Sequence, residues 1–249
     1  MNDRYSRNRI YVSPEEQHII KNYPILLAGN GIGSNIAECA LRFGFENITL
    51  IDGDIIDVSN LNRQNYTDQE VSMYKAESLY NRLKNINPEA SIRYINEFIT
   101  KENLDRILEN VSVAFNALDF TSTIPVLFDR ACQEKKITVL HPYNLGWAGL
   151  VTTITPDSQN LETLGDENSM NELNVVIFAS QYLKKTGQNV DWLDKIIMSY
   201  KEEEELLPPP QLAIGSWLVA GICTTLLYKI ATGKSFRQFP EFYFTSIME

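Results

Sequence analysis

The apolar run at residues 23–28, Tyr-Pro-Ile-Leu-Leu-Ala, is short and continuous, and a glycine cluster follows it at once: Gly29-Asn30-Gly31-Ile32-Gly33-Ser34. This is the pattern of a buried strand running into a tight turn. From 35 to 43, Ile36, Ala40 and Phe43 recur at helical spacing. Residues 47–51, Asn-Ile-Thr-Leu-Ile, then read as a second buried strand closed by Asp52-Gly53-Asp54. Strand, turn, helix and strand make one βαβ unit. The alternation continues with a predicted helix at 71–85, stopped at Asn87-Pro88, and a strand at 91–96. A helix at 100–108 is capped by Thr100, with Glu102 and Asp105 in its first turns. A strand at 111–116 and a helix at 122–134, with Pro125 in its first turn, come next, then strands at 137–140 and 149–154. Strands alternating with helices predict an α/β fold, a doubly wound, mostly parallel sheet of Rossmann type.

The last third breaks this rhythm. Residues 170–185 and 190–201 read as helices, and four acids at 202–205 followed by Pro208-Pro209-Pro210 read as an exposed, solvated loop. A long apolar helix at 211–231 and a closing strand at 242–245 complete a C-terminal helical and antiparallel-strand extension. The expected organisation is one domain over 1–249: an N-terminal arm at 1–22, an α/β core at 23–155, a helical and acidic insert at 156–210, and the core helix with its closing strand at 211–249.

Charge narrows the partners. With 22 Lys+Arg against 32 Asp+Glu, the chain carries a formal −10, which argues against DNA and against an anionic membrane surface. A local basic pocket stays possible. The long apolar helix is interrupted by Gly215, Ser216, Gly221, Thr224 and Thr225, so a core helix is expected and not a membrane span. The N-terminus is polar, without a signal-peptide pattern, and the expected location is cytoplasmic. Cys39, Cys132 and Cys223 are too few for a disulfide framework, and no C-x-x-C is present to build a zinc site. All three sit in apolar helical patterns and are expected to be small packing residues.

The candidate chemistry begins at the glycine turn. Gly29, Gly31 and Gly33 between a strand and a helix let backbone N–H groups approach a phosphate at a helix N-terminus. Asp52 stands 19 positions after Gly33, at the end of the second strand, where a dinucleotide-binding unit carries an acid for the ribose. Neither signal separates NAD from ATP. The discriminating stretch is Asp52-Gly53-Asp54-Ile55-Ile56-Asp57-Val58-Ser59-Asn60-Leu61-Asn62-Arg63-Gln64.

Here the chain resembles the ThiF/MoeB/HesA family, the adenylating enzymes related to ubiquitin-activating enzyme, whose hallmark is D-x-D-x-V-x-x-S-N-L-x-R-Q. Ile56 stands where the first Val is usual. The resemblance extends to Arg4-Tyr5-Ser6-Arg7-Asn8 before the first strand, to Lys75 twelve positions after Arg63, to Asp119 after the fourth strand, and to Ile214-Gly215-Ser216 in the late helix. It implies ATP and Mg²⁺ as cofactors and activation of a carboxylate, the C-terminus of a small ubiquitin-like carrier protein. In that reading Arg63 and Lys75 neutralise the triphosphate, and Asn60 and Gln64 orient phosphate oxygens. Asp119 holds Mg²⁺, and Asp52 with Asp54 flanks the ribose. Arg7 reaches from the partner subunit of a homodimer into its neighbour's site.

The chain departs from the family at Ala28 and Asn30, where glycines are usual, and in Ser72-Met73-Tyr74-Lys75, where the glycine before the lysine is missing. The zinc cysteines and the thioester cysteine of many members are absent. The segment His141-Pro142-Tyr143-Asn144-Leu145-Gly146-Trp147-Ala148-Gly149 is read either as a groove for the substrate's tail or as a loop packed by its aromatics. Three alternatives remain open: a tRNA-nucleoside dehydratase of the same family, a non-catalytic nucleotide-binding protein, and an NAD(P) oxidoreductase.

Overall fold

The computed structural model describes residues 3–120, 122–165, 171–204 and 207–248. Seven strands form one sheet in the order β3-β2-β1-β4-β5-β6-β7. They are β1 (Pro24–Ala28), β2 (Asn47–Ile51), β3 (Ser91–Ile95), β4 (Val113–Asn116), β5 (Thr138–Asn144), β6 (Ala148–Ile154) and β7 (Phe242–Ser246). The first five run parallel, while β6 pairs antiparallel with β5 and β7 antiparallel with β6. β1 lies inside the sheet, between β2 and β4, with residues 25–28 almost wholly buried. Its continuous apolar run follows from that position, because helices cover both faces of a parallel sheet.

Alternate strand residues feed two cores. On one face Leu27, Leu50 and Phe115 pack with α1 (Pro14–Asn22), α2 (Gly33–Phe43), α3 (Lys75–Ile86) and α8 (Ala213–Ala231). On the other, Leu26, Ala28 and Ala114 pack with α4 (Leu104–Ile107), α5 (Ile124–Glu134), α6 (Glu172–Lys185) and α7 (Asp191–Lys201). Each fully buried Leu or Phe contributes about 1.5–3 kcal/mol by leaving water. By length and composition α8 could cross a membrane. Here it is a core helix, packed on α2 and on β5 and β6, with Val219, Ala220, Cys223 and Leu227 fully buried.

Several local expectations are corrected. The helix expected at 71–85 begins at Lys75, because the chain before it is held by Ile56: Ser72 N donates to Ile56 O (2.8 Å), and Ile56 N donates to Met73 O (2.9 Å). Ser72 takes φ +70°, which no helix continues. Of the helix at 100–108 only Leu104–Ile107 is α-helical; Asn103 Oδ1 accepts from Thr100 N (2.8 Å) and closes a turn there instead. The N-terminal residue of the predicted helix at 170–185 lies outside the described residues, as does the last of the four acids at 202–205; Glu202, Glu203 and Glu204 are exposed.

The arm differs most. Expected only as a polar arm ahead of β1, it carries a 3-10 helix, Asp3–Asn8, and then α1, with a Ser13/Glu16 capping box. Tyr5 is buried, and its hydroxyl donates to Glu46 Oε1 (2.9 Å); Asn8 Nδ2 donates to Phe43 O (2.8 Å). Tyr5 and Asn8, with Val12 buried in the core, dock the arm on its own chain.

Candidate nucleotide site

The strand order reverses between β1 and β4: the chain winds outward from β1 to β3, then returns to the other side of β1. Such a switch point opens a crevice at the carboxyl ends of the strands. The glycine turn sits in it. Gly29 has φ +88°, and a Cβ there would lie 2.3 Å from Ala117 O, so β1 and the loop after β4 close up only around a glycine. Asn30, where the family usually has glycine, is wholly buried, and its Nδ2 donates to Leu27 O (3.3 Å). A Cβ on Gly31 would lie 3.1 Å from Gln64 Nε2, so Gln64 lies directly over the turn. Gly33 opens α2, whose N-cap, Ile32, offers no side-chain hydrogen bond. The N–H groups of Gly31, Ile32 and Gly33 have no hydrogen-bond partner among the described residues. Gln64 Oε1 and Asn30 Oδ1 are likewise buried without partners. An uncapped, buried helix end with free donors is the arrangement that receives an anion.

The second strand's acids frame the turn. Asp52 Oδ2 accepts from Asn30 N (2.6 Å) and Oδ1 from Asp54 N (2.8 Å). Burial raises the Asp52 pKa above the ordinary carboxylate value, against the opposing charge of Lys75 and these two N–H donors. Lys75 is 8% exposed at the start of α3; its Nζ donates to Asp54 Oδ2 (3.0 Å) and its N–H to Asp54 O (3.0 Å). Tyr66 ties these parts together. Its buried hydroxyl donates to Asn30 O (2.7 Å) and lies 3.2 Å from Lys75 O.

Arg63 is held by groups from both ends of the chain. Its Nε donates to Gln211 Oε1 (2.6 Å) and its Nη1 to Ser59 O and Asn62 Oδ1 (both 2.8 Å). Burial lowers its pKa, and the Asp119 carboxylate opposes that, which places the two charges in one field. Asp119 is exposed past the end of β4. Asn60 is engaged locally: its Oδ1 accepts from Asp57 N (3.0 Å) in a capping box, leaving its Nδ2.

Arg7 does not join this group in its own chain. It is exposed on an arm anchored at the C-terminal end of α2, whereas the glycine turn lies at the N-terminal end. Eleven residues of helix separate those ends by roughly 16 Å.

The His141–Gly149 segment is corrected. It is the C-terminal part of β5, a short turn at 145–147 and the start of β6, so the reading as a loop is corrected for all but that turn. His141 is 1% exposed, with Nε2 2.9 Å from Asp129 Oδ1, and Asn116 Nδ2 donates to the same oxygen (2.8 Å). Cys132 and Cys223 are buried and burial pushes both thiols up; Cys39 is partly buried. Four contributors had no distinct signal in the sequence. They are Tyr66, Gln211, Phe98, whose exposed ring packs against Gly53, and Glu172, which burial and then the nearby Asp119 charge raise to about 7.

Residues 5–248 match the family model described as ThiF family, and the chain belongs to that family. It is 30% identical over 164 residues to the sulfur carrier protein ThiS adenylyltransferase of Bacillus subtilis, across 64% of this chain and 48% of that protein. It is 31% identical over 143 residues to the tRNA threonylcarbamoyladenosine dehydratase of Haemophilus influenzae, across 57% of this chain and 53% of that one. The chain thus spans about half the length of these relatives. Among solved structures, Escherichia coli MccB with ATP shares the fold at a TM-score of 0.70 and 19% identity, over 99% of this chain and 72% of that one.

Proposed function

We propose that the protein is an ATP-dependent adenylyltransferase, which activates the C-terminal carboxylate of a small ubiquitin-like or sulfur-carrier protein as an acyl-adenylate. The observation that carries this is the uncapped N-terminus of α2, with three free N–H groups, beside Lys75 and Arg63. Two cations and a helix end suit a triphosphate better than the bridging diphosphate of NAD. Several relatives are named as adenylyltransferases, one of them of the sulfur carrier protein ThiS, and the MccB neighbour was solved with ATP.

In the reaction a carboxylate oxygen attacks the α-phosphorus, and the bond to the pyrophosphate oxygen breaks. The chain's residues position the reactants and offset charge. The turn N–H groups and Gln64 hold phosphate oxygens. Arg63 and Lys75 offset the charge that develops on pyrophosphate as it leaves, and Lys75 must exchange Asp54 for phosphate to do so. Asp52 and Asp54 flank the ribose, and Asn60 Nδ2 points a further donor. Asp119 is the carboxylate that would hold Mg²⁺, a cation that typically takes one or two protein carboxylates and completes its shell with phosphate oxygens and water. When bound, Mg²⁺ would neutralise phosphate charge.

Arg7 would enter the crevice of the second subunit in a homodimer, since its own site is out of reach. Ile214 and Trp217 on α8 are about half exposed and offer apolar area for such an interface. A second reading, a tRNA-nucleoside dehydratase, is favoured by a comparable identity to the Haemophilus enzyme, 31% against 30%, and disfavoured by the net charge of −10.

Pyrophosphate–ATP exchange, measured with candidate carrier proteins and with tRNA, tests the proposal. Exchange should require a carrier with a free C-terminus and should vanish in Asp119→Ala at unchanged melting temperature. Tighter binding of NAD⁺ than of ATP·Mg²⁺, or full exchange in Asp119→Ala, would reject it.

A further inference from the structure

Away from the crevice, a cavity of about 540 Å³ opens between α2 and α3. Arg42 of α2 and Arg82 of α3 line it, with Asn81, Asn85 and Glu70 among the other walls. Beneath them lies Glu38, whose side chain is 7% exposed. Arg42 Nε donates to Glu38 Oε1 (2.8 Å), and Arg82 Nε donates to Oε2 (2.6 Å). One carboxylate therefore holds two guanidiniums, leaving one positive charge over. Both are held through Nε, and their terminal Nη groups have no partner among the described residues. Asn65 Nδ2 completes the shell of Glu38 Oε2 (2.6 Å).

Arginine forks bind carboxylate and phosphate with two parallel hydrogen bonds, and a fork already fixed loses little side-chain freedom on binding. Here the fixing is done by a buried acid that neither the glycine turn nor the cationic pair needs. Asn81 and Asn85 are exposed on the wall and add amide donors. Glu70 at the rim is held by Thr67: its Oε2 accepts from Thr67 N and Thr67 Oγ1 (both 2.7 Å).

We propose that this cavity is a binding site, separate from the nucleotide crevice, for a small molecule with one anionic headgroup, a carboxylate or a phosphate monoester. The headgroup sits between the Nη groups of Arg42 and Arg82, and the polar remainder lies along Asn81 and Asn85. The assignment is independent of the adenylation reading.

Inorganic phosphate and acetate serve as probes, titrated at low salt while the arginine Nε–H signals are followed by NMR. The Arg42 and Arg82 signals should shift and saturate with either probe. Asn85→Asp adds charge to the wall without touching Glu38, and should weaken phosphate binding at least tenfold at unchanged melting temperature. Arg42→Gln should do the same, whereas Arg63→Gln should leave this titration intact. The proposal falls if the two signals do not saturate at tens of millimolar probe, or if Asn85→Asp binds phosphate undiminished. It falls equally if Arg63→Gln is the variant that abolishes the response.

Discussion

Replacing Tyr66 by Phe removes one oxygen and nothing else from the centre of the site. The hydroxyl donates to Asn30 O and lies beside Lys75 O, at 2.7 and 3.2 Å, in a setting where Tyr66 is only 7% exposed. The ring stays, so no cavity of consequence opens and the apolar contacts survive. What changes is that the Asn30 carbonyl keeps no donor in a place water does not reach; Asn30 itself is wholly buried. A buried acceptor left without a partner costs about 1–3 kcal/mol, a shift of about 5- to 160-fold toward the unfolded state. Urea unfolding should therefore show a lower midpoint with an unchanged slope, because the same surface is exposed on unfolding. The effect should also reach function: Tyr66 sets the distance between the turn and the start of α3, so KM for ATP should rise more than the stability loss alone explains. A midpoint equal to the wild type's would show that the hydroxyl contributes nothing. A changed slope would show that Tyr66 acts on compactness and not on one carbonyl.

Gly29→Ala should destabilise by about 3 kcal/mol or more, since it puts a methyl 2.3 Å from Ala117 O at φ +88°; a normal urea midpoint would show that the strand ends can part. Glu172 has a folded pKa near 7 against an ordinary 4.5, raised by burial and then by Asp119, so the folded state binds the extra proton and stability falls as pH rises from 4.5 through 7. The loss amounts to about 3 kcal/mol at full ionisation, and Glu172→Gln in EDTA should remove most of it; parallel pH profiles of variant and wild type would contradict this. Mixing Arg7→Ala with Lys75→Ala protein should restore exchange activity, because a mixed dimer assembles one intact site; no rescue after proven subunit exchange, or a monomer mass by light scattering, rejects the composite site.

The strands and the turn were legible because their signals are local. A continuous apolar run before Gly29 and another before Asp52 need no distant partner to be read, and the S-N-L-x-R-Q stretch is contiguous. Where the reading failed, the deciding contact came from elsewhere in the chain. The helix start moved to Lys75 because Ile56 takes the preceding backbone. His141 to Asn144 became strand because β6 turns back antiparallel beside them, while His141 finds Asp129 twelve residues away. Polar composition hid the arm's docking, which rests on Tyr5 meeting Glu46 across 41 positions. Tyr66 and Gln211 carried no pattern, since a single hydroxyl or amide acquires its role only from what the fold brings against it.

The hydrogen bond from Arg63 to Gln211 spans 148 positions. It has a consequence for how the protein comes into being. A chain emerging from the ribosome at about 5–20 residues per second exposes Arg63 roughly 7–30 seconds before Gln211 exists. During that interval the guanidinium lacks the amide that orients it, and β6 still waits for β7, the strand that covers its edge. A chain terminated before Gln211 would therefore carry the S-N-L-x-R-Q stretch without the amide that holds Arg63 in place.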